Sequence, residues 1–102
     1  MKYKTNKQKK LEDSRFSVFT DNLEECIVCE KCKDDINEIF MGSDRTNSII
    51  YGFCIPLCRT CHDEFHDNIK MQQLWIRRCK EYFINNYGTE EEFIKIFHPK
   101  IR

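Results

Sequence analysis

The sequence predicts a small α+β domain in which a bound metal does part of the work of a core. Three observations carry that prediction. Four cysteines form two Cys-x-x-Cys pairs, Cys26/Cys29 and Cys58/Cys61, with 28 residues between them. The stretch between the pairs is rich in short β-type runs broken by glycine. Beyond the second pair, the apolar residues switch to the three- and four-residue steps of an amphipathic helix. A chain of 102 residues defaults to one domain, and a domain this small often needs a staple.

Cysteine usage and charge narrow the setting. There are seven cysteines, an odd number, so a full disulfide pairing is impossible. The N-terminal run from Met1 to Lys7 has no apolar signal core. No apolar run approaches the length of a membrane span. These features predict a reducing, cytoplasmic setting, where Cys-x-x-Cys pairs serve as metal ligands or redox thiols. The formal net charge is +0, which argues against affinity for nucleic acid over the whole surface. Charge is uneven, however. Lys2, Lys4, Lys7, Lys9, Lys10 and Arg15 face only Glu12 and Asp13 in the first fifteen residues. Residues 1–14 are expected to form a basic arm on a domain spanning 15–102. Such an arm suits phosphate contact, and it equally suits solubility.

The elements follow in order. Arg15 to Thr20 alternates and is rich in β-formers, which predicts a short strand or extended segment. Asp21-Asn22 marks a turn. Cys26 to Lys33 forms a tight knuckle, because both thiolates must face one ion. Residues 35 to 55 are expected to form a β-hairpin with a long tip. Its first strand runs from Asp35 to Met41 and ends at Gly42. Ser43 to Ser48 is a polar loop, and Ile49-Ile50-Tyr51 resumes the β pattern. Gly52 interrupts it, and Phe53 to Ile55 continues to Pro56. Arg59 or Thr60 starts a helix, with threonine as a reasonable cap. A long amphipathic helix runs from about Asn68 to Asn86, with Met71, Leu74, Trp75, Cys79, Tyr82 and Phe83 on its apolar face. Gly88 is the expected stop. Thr89 and Glu92 form a capping box that opens a last helix, which Pro99 ends.

Cys26, Cys29, Cys58 and Cys61 are the candidate ligands of a structural zinc, since zinc favours four thiolates in a tetrahedron. Redox thiols or an iron–sulfur cluster are the competing readings. Cys32 extends the first pair to Cys26-x-x-Cys29-x-x-Cys32, but the ferredoxin run needs a fourth cysteine where Ile36 stands. Cys32 is therefore expected to be a spare thiol, with Cys54 and Cys79 as small core hydrophobes. His62 and His66 are spaced to place two imidazoles on one ion, as in HExxH helices. Surface histidines on a short helix are the alternative. His98 is expected to be incidental.

These motifs carry a resemblance. Asn37-Glu38-Ile39-Phe40, Gly42, Asp44-Arg45-x-x-Ser48, Tyr51-Gly52 and Pro56-Leu57-Cys58-x-x-Cys61-His62 resemble small phage and prophage proteins of the HNH endonuclease family. The similarity spans residues 15 to 97. It implies a zinc-stapled ββα-metal core with an N-terminal extended arm and C-terminal helices from about residue 68. It also implies hydrolysis of DNA phosphodiester bonds with one divalent metal, such as Mg²⁺, Mn²⁺, Ni²⁺ or Zn²⁺. Carried over by position, Asn37, His62 and His66 are the candidate ligands of that catalytic metal. Glu38 takes the place of the general base, and His62 is a second catalytic candidate. Arg45, Arg59, Lys9 and Lys10 are candidate phosphate contacts. The family has histidines where this chain has Asn37 and Glu38. A factor of about 10²–10⁴ from general-base catalysis depends on that difference. The alternative expectation is a degenerate HNH-like zinc module that binds DNA or a protein partner without cleavage.

Overall fold

The computed structural model describes residues 9–10 and 13–99. Most of the expected basic arm lies outside the described residues. Lys9 and Lys10 are helical and exposed, and the Ser14 amide donates to the Lys10 carbonyl at 3.1 Å.

The centre of the fold is an antiparallel pair of short strands, β1 (Asp35–Glu38) and β2 (Cys54–Leu57). Asp35 lies opposite Leu57 and Glu38 opposite Cys54. Ile39 N donates to Phe53 O at 2.9 Å and extends the ladder. Bonded positions in an antiparallel pair alternate, so Pro56, which has no N–H, turns its edge away from β1. There its carbonyl accepts from Ile27 N at 2.9 Å, which ties the first cysteine knuckle to the hairpin.

The hairpin tip differs from expectation. A 3₁₀ turn (Gly42–Asp44) leads into helix α1 (Arg45–Tyr51). The segment expected to be a loop followed by strand is therefore helical. Its β-branched Ile49 is buried against the core while Ile50 faces solvent, a helical division of neighbours that packing imposes over propensity. Gly52 caps α1 in the left-handed region, with φ 77°. It ends a helix rather than interrupting a strand.

The segment 15–20 is not a strand. Val18 N donates to Gly52 O at 2.9 Å, and Phe19 packs edge-on against Trp75 with ring centroids 5.3 Å apart. The neighbours Val18 and Phe19 both pack against the core while Phe16 is exposed, so burial here does not follow the alternation.

The three helices after β2 match the periodicity. Helix α2 (Arg59–Asp67) buries Cys61 and Phe65. Helix α3 (Ile69–Asn86) buries Trp75, Cys79 and Phe83, and the Asn68 side chain caps it by accepting from Met71 N. Helix α4 (Glu90–Phe97) opens with a complete Thr89/Glu92 capping box and buries Phe93 and Phe97. His98 ends α4 in the left-handed region, and its amide donates to Ile94 O. The core is aromatic: Phe97 lies 4.5 Å from Phe40 and 5.2 Å from Phe53 between ring centroids. Cys54 and Cys79 are both fully buried, as expected of small core residues. Among the described residues no helix is long and apolar enough to cross a membrane.

Candidate metal centre

The first knuckle is a tight turn. Cys26 N donates to Lys31 O at 2.7 Å, and Glu30 N donates to Cys26 O at 2.9 Å. Glu30 occupies the left-handed region at φ 67°, which lets the chain reverse just after Cys29. An isolated bridge between Glu25 and Cys32 closes the base of the turn.

The second pair lies at the junction of β2 and α2. Cys58 is extended and serves as the N-cap of α2, and Cys61 follows in its first turn. Thr60 is not the cap. Instead Asp34, just before β1, accepts from Arg59 N at 2.6 Å, while its own amide donates to Leu57 O. One aspartate thus joins the hairpin to the start of the helix that carries two ligands.

The ligand atoms of Cys26, Cys29, Cys58 and Cys61 all lie within 4.8 Å of one another, and Cys29 Sγ is 3.5 Å from Cys58 Sγ. A tetrahedral ion with Zn–S bonds of about 2.3 Å places its sulfurs about 3.8 Å apart, so the donor set fits one such ion. Cys26, Cys58 and Cys61 are buried, while Cys29 is exposed. Cys32 is exposed and stands outside the group.

The thiols are electrostatically unequal. Burial opposes ionisation of Cys26, but backbone N–H groups of Cys58, Cys29 and Val28 outweigh it and hold this thiol down at about 6. The Lys31 amide favours ionised Cys29, yet the Cys58 thiol and burial prevail and push it up. Burial, and then its contact with Cys58, pushes Cys61 up strongly. Clustered thiols resist becoming thiolates together, and a divalent cation among them reverses that preference.

His62 and His66 lie one step round α2 from the buried Cys61/Phe65 face. Their Nε2 atoms are 2.9 Å apart, one ring donating to the other. Two nitrogens on one ion at about 2.0–2.1 Å stand at a similar separation. Among the described residues no thiol, carboxylate or third imidazole joins them in a ligand group.

Asn37 and Glu38 are both buried, at 6% and 8% exposure, rather than displayed on an open strand face. As neighbours on a strand they point to opposite sides. The Asn37 side-chain Nδ2 is buried without a hydrogen-bond partner. Glu38 Oε1 accepts from Arg15 Nη2 at 3.0 Å and from Arg45 Nε at 2.6 Å. Arg59 stands at the opposite end of the strand pair, exposed and 3.7 Å from Asp63. His98 faces Asp44 at 3.3 Å.

Arg15 and Asp34 are the residues that sequence reasoning missed. Arg15 sits 23 positions from Glu38, and no spacing rule links them. Asp34 was visible only as one more acidic residue after the knuckle.

Comparison of the chain with protein-family models, with curated proteins and with solved structures found no match.

Proposed function

We propose that this chain is an HNH-type endonuclease that hydrolyses DNA phosphodiester bonds with a divalent metal, its fold stapled by zinc on Cys26, Cys29, Cys58 and Cys61. The observation that carries the reading is the His62/His66 pair. Two imidazole nitrogens lie 2.9 Å apart on a helix that directly follows an antiparallel strand pair and a thiol pair. A divalent ion bound there would polarise a phosphoryl oxygen and acidify a water molecule. His62 and His66 offer that ion neutral nitrogen donors. Asn37 supports the reading from β1, where an amide oxygen is the available donor. Glu38 stands at the position of the general base. Arg59, Lys9 and Lys10 are exposed and suit phosphate contacts, which position the substrate without reading its sequence.

The test is nicking of supercoiled plasmid with magnesium, manganese, nickel or cobalt added to zinc-loaded protein. Nicking is expected, with loss of about a hundredfold or more in His62→Ala and His66→Ala at unchanged zinc content. Glu38→Ala is expected to lose about 10²-fold. Elemental analysis is expected to find zinc and no iron.

A second reading has its own support. Oε1 of Glu38 is already bonded to two arginines, which gives this carboxylate an ion-pairing role in the fold. A zinc-stapled module that binds DNA without cutting it accommodates that arrangement. Retarded plasmid with no nicking under any of the four metals would select it and rule out the first.

A further inference from the structure

We infer that Arg15, Glu38 and Arg45 form a phosphate-gripping latch, in which Arg45 exchanges the Glu38 carboxylate for a phosphate of a nucleic-acid backbone while Arg15 keeps Glu38 satisfied. The identity of the anion rests on the nucleic-acid reading above. The existence of the latch rests on the geometry alone.

Three separate pieces of chain meet at one oxygen. Arg15 comes from the N-terminal segment, Glu38 from the end of β1 and Arg45 from the start of α1. Both arginines donate to Glu38 Oε1, at 3.0 and 2.6 Å. Their side chains form a gradient of access: Glu38 is 10% exposed, Arg15 20% and Arg45 42%. Arg45 is thus the member that an incoming anion meets, and Arg15 is the one that stays behind.

The chemistry permits the exchange. A guanidinium uses the same N–H fork for carboxylate and for phosphate. A phosphodiester is a monoanion, as a carboxylate is. When Arg45 turns to phosphate, Arg15 remains on Glu38. Each anion then has a guanidinium, and no buried carboxylate is stranded without a partner. Glu38 in this scheme is a positioning residue. It holds Arg45 in place and tunes how readily it is released.

The cluster is also held from outside. Val18 N bonds Gly52 O, which fixes the Arg15 segment beside the end of α1, and Phe40 N bonds Ser48 Oγ, which fixes β1 to α1. The latch lies at the Glu38 end of the strand pair, about 10 Å along β1 from the thiol end by strand rise.

The experiment measures binding of a fluorescein-labelled 12-base-pair DNA duplex to the full zinc-loaded chain, with no other divalent ion, across a salt series. Inorganic phosphate is titrated in parallel against the melting temperature. Arg45→Gln is expected to weaken duplex binding about tenfold and to reduce the salt slope by about one. Glu38→Gln is expected to tighten it about tenfold by weakening the hold of this position on Arg45. Arg15→Gln is expected to weaken it although Arg15 touches no phosphate, because Glu38 then relies on Arg45. That weakening should vanish when Arg15→Gln is combined with Glu38→Gln. Glu91→Gln, an equal charge change on an exposed residue of α4, is the control for net charge.

The latch is overturned if Arg45→Gln binds like wild type, if Glu38→Gln binds no tighter than Glu91→Gln, or if Arg15→Gln has no effect. Zinc content and melting temperature check the fold of every variant. Should Glu38→Gln fail to fold, the Arg15→Gln and Arg45→Gln results decide alone. If no variant binds duplex but phosphate still raises the melting temperature of wild type and not of Arg45→Gln, the latch stands and the nucleic-acid reading fails. If neither probe binds, both fail.

Discussion

Cys54 lies opposite Glu38 across the strand pair and is fully buried. Burial, and then the Glu38 charge, pushes its thiol up to about 12. An unfolded cysteine titrates near 8.5, so between about pH 8.5 and 12 the folded chain holds a proton that the unfolded chain has lost. The stability this thiol contributes is fully present below that window and is lost as pH rises through it. Urea unfolding at pH 8 and at pH 10 should therefore fall less in Cys54→Ala than in wild type, with a difference of about 2 kcal/mol between the two drops. Glu30 makes an opposite case. It holds a left-handed conformation that costs an L-residue about 1–2 kcal/mol, against which the flexibility of an unfolded glycine removes about 0.5–1. Glu30→Gly should raise stability by about 0.5–1 kcal/mol, read from the denaturant midpoint.

At the scale of elements, Gly52 is the joint between α1, β2 and the N-terminal segment. Its φ is 77°, and a Cβ there would run into the Phe16 ring. Its carbonyl also receives Val18 N. Gly52→Ala should cost about 2 kcal/mol from backbone strain alone, and it should loosen the 16–18 segment to proteolysis more than it loosens β2. A strand interrupted by glycine predicts a milder loss. This joint also marks where the sequence stopped being legible. Helices α3 and α4 were readable because Trp75, Cys79 and Phe83 repeat at helical steps and because Asn68 and Thr89 are local caps. Helix α1 was not, since its last turn is Ile49-Ile50-Tyr51, three β-formers. Only burial of Ile49 and Ser48 under the core makes that turn helical. Of the two expectations for Arg15 to Thr20, a strand or an extended segment, the strand is absent, because Val18 and Phe19 pack side by side on the core rather than on one face of a ladder. The thiol pairs were legible because a tight knuckle must be local. The Arg15–Glu38–Arg45 cluster is a product of the tertiary fold and has no local signature.

At the scale of the whole molecule, the four thiols join the N-terminal knuckle to α2, and β1, α1 and β2 lie in the loop between them. Chelation should therefore do more than empty a site. With a strong chelator the near-UV aromatic signal and the melting temperature should both fall, since metal binding and folding are coupled in small thiolate domains. Cys26→Ser should lower the zinc stoichiometry, whereas Cys32→Ser should leave it unchanged, because Cys32 stands outside the cluster. Retained stoichiometry in Cys26→Ser would displace it from the ligand set.

The bond between Ile27 N and Pro56 O fastens the knuckle to the far edge of the strand pair. Through this bond a metal held by the four thiols would act as a gauge. When folding of the hairpin and capture of the ion are linked, every loss of about 1.4 kcal/mol in the hairpin weakens apparent metal affinity about tenfold. A colorimetric chelator competition would then rank substitutions throughout β1, α1 and β2 by their cost, without any denaturant and far from the sulfurs themselves.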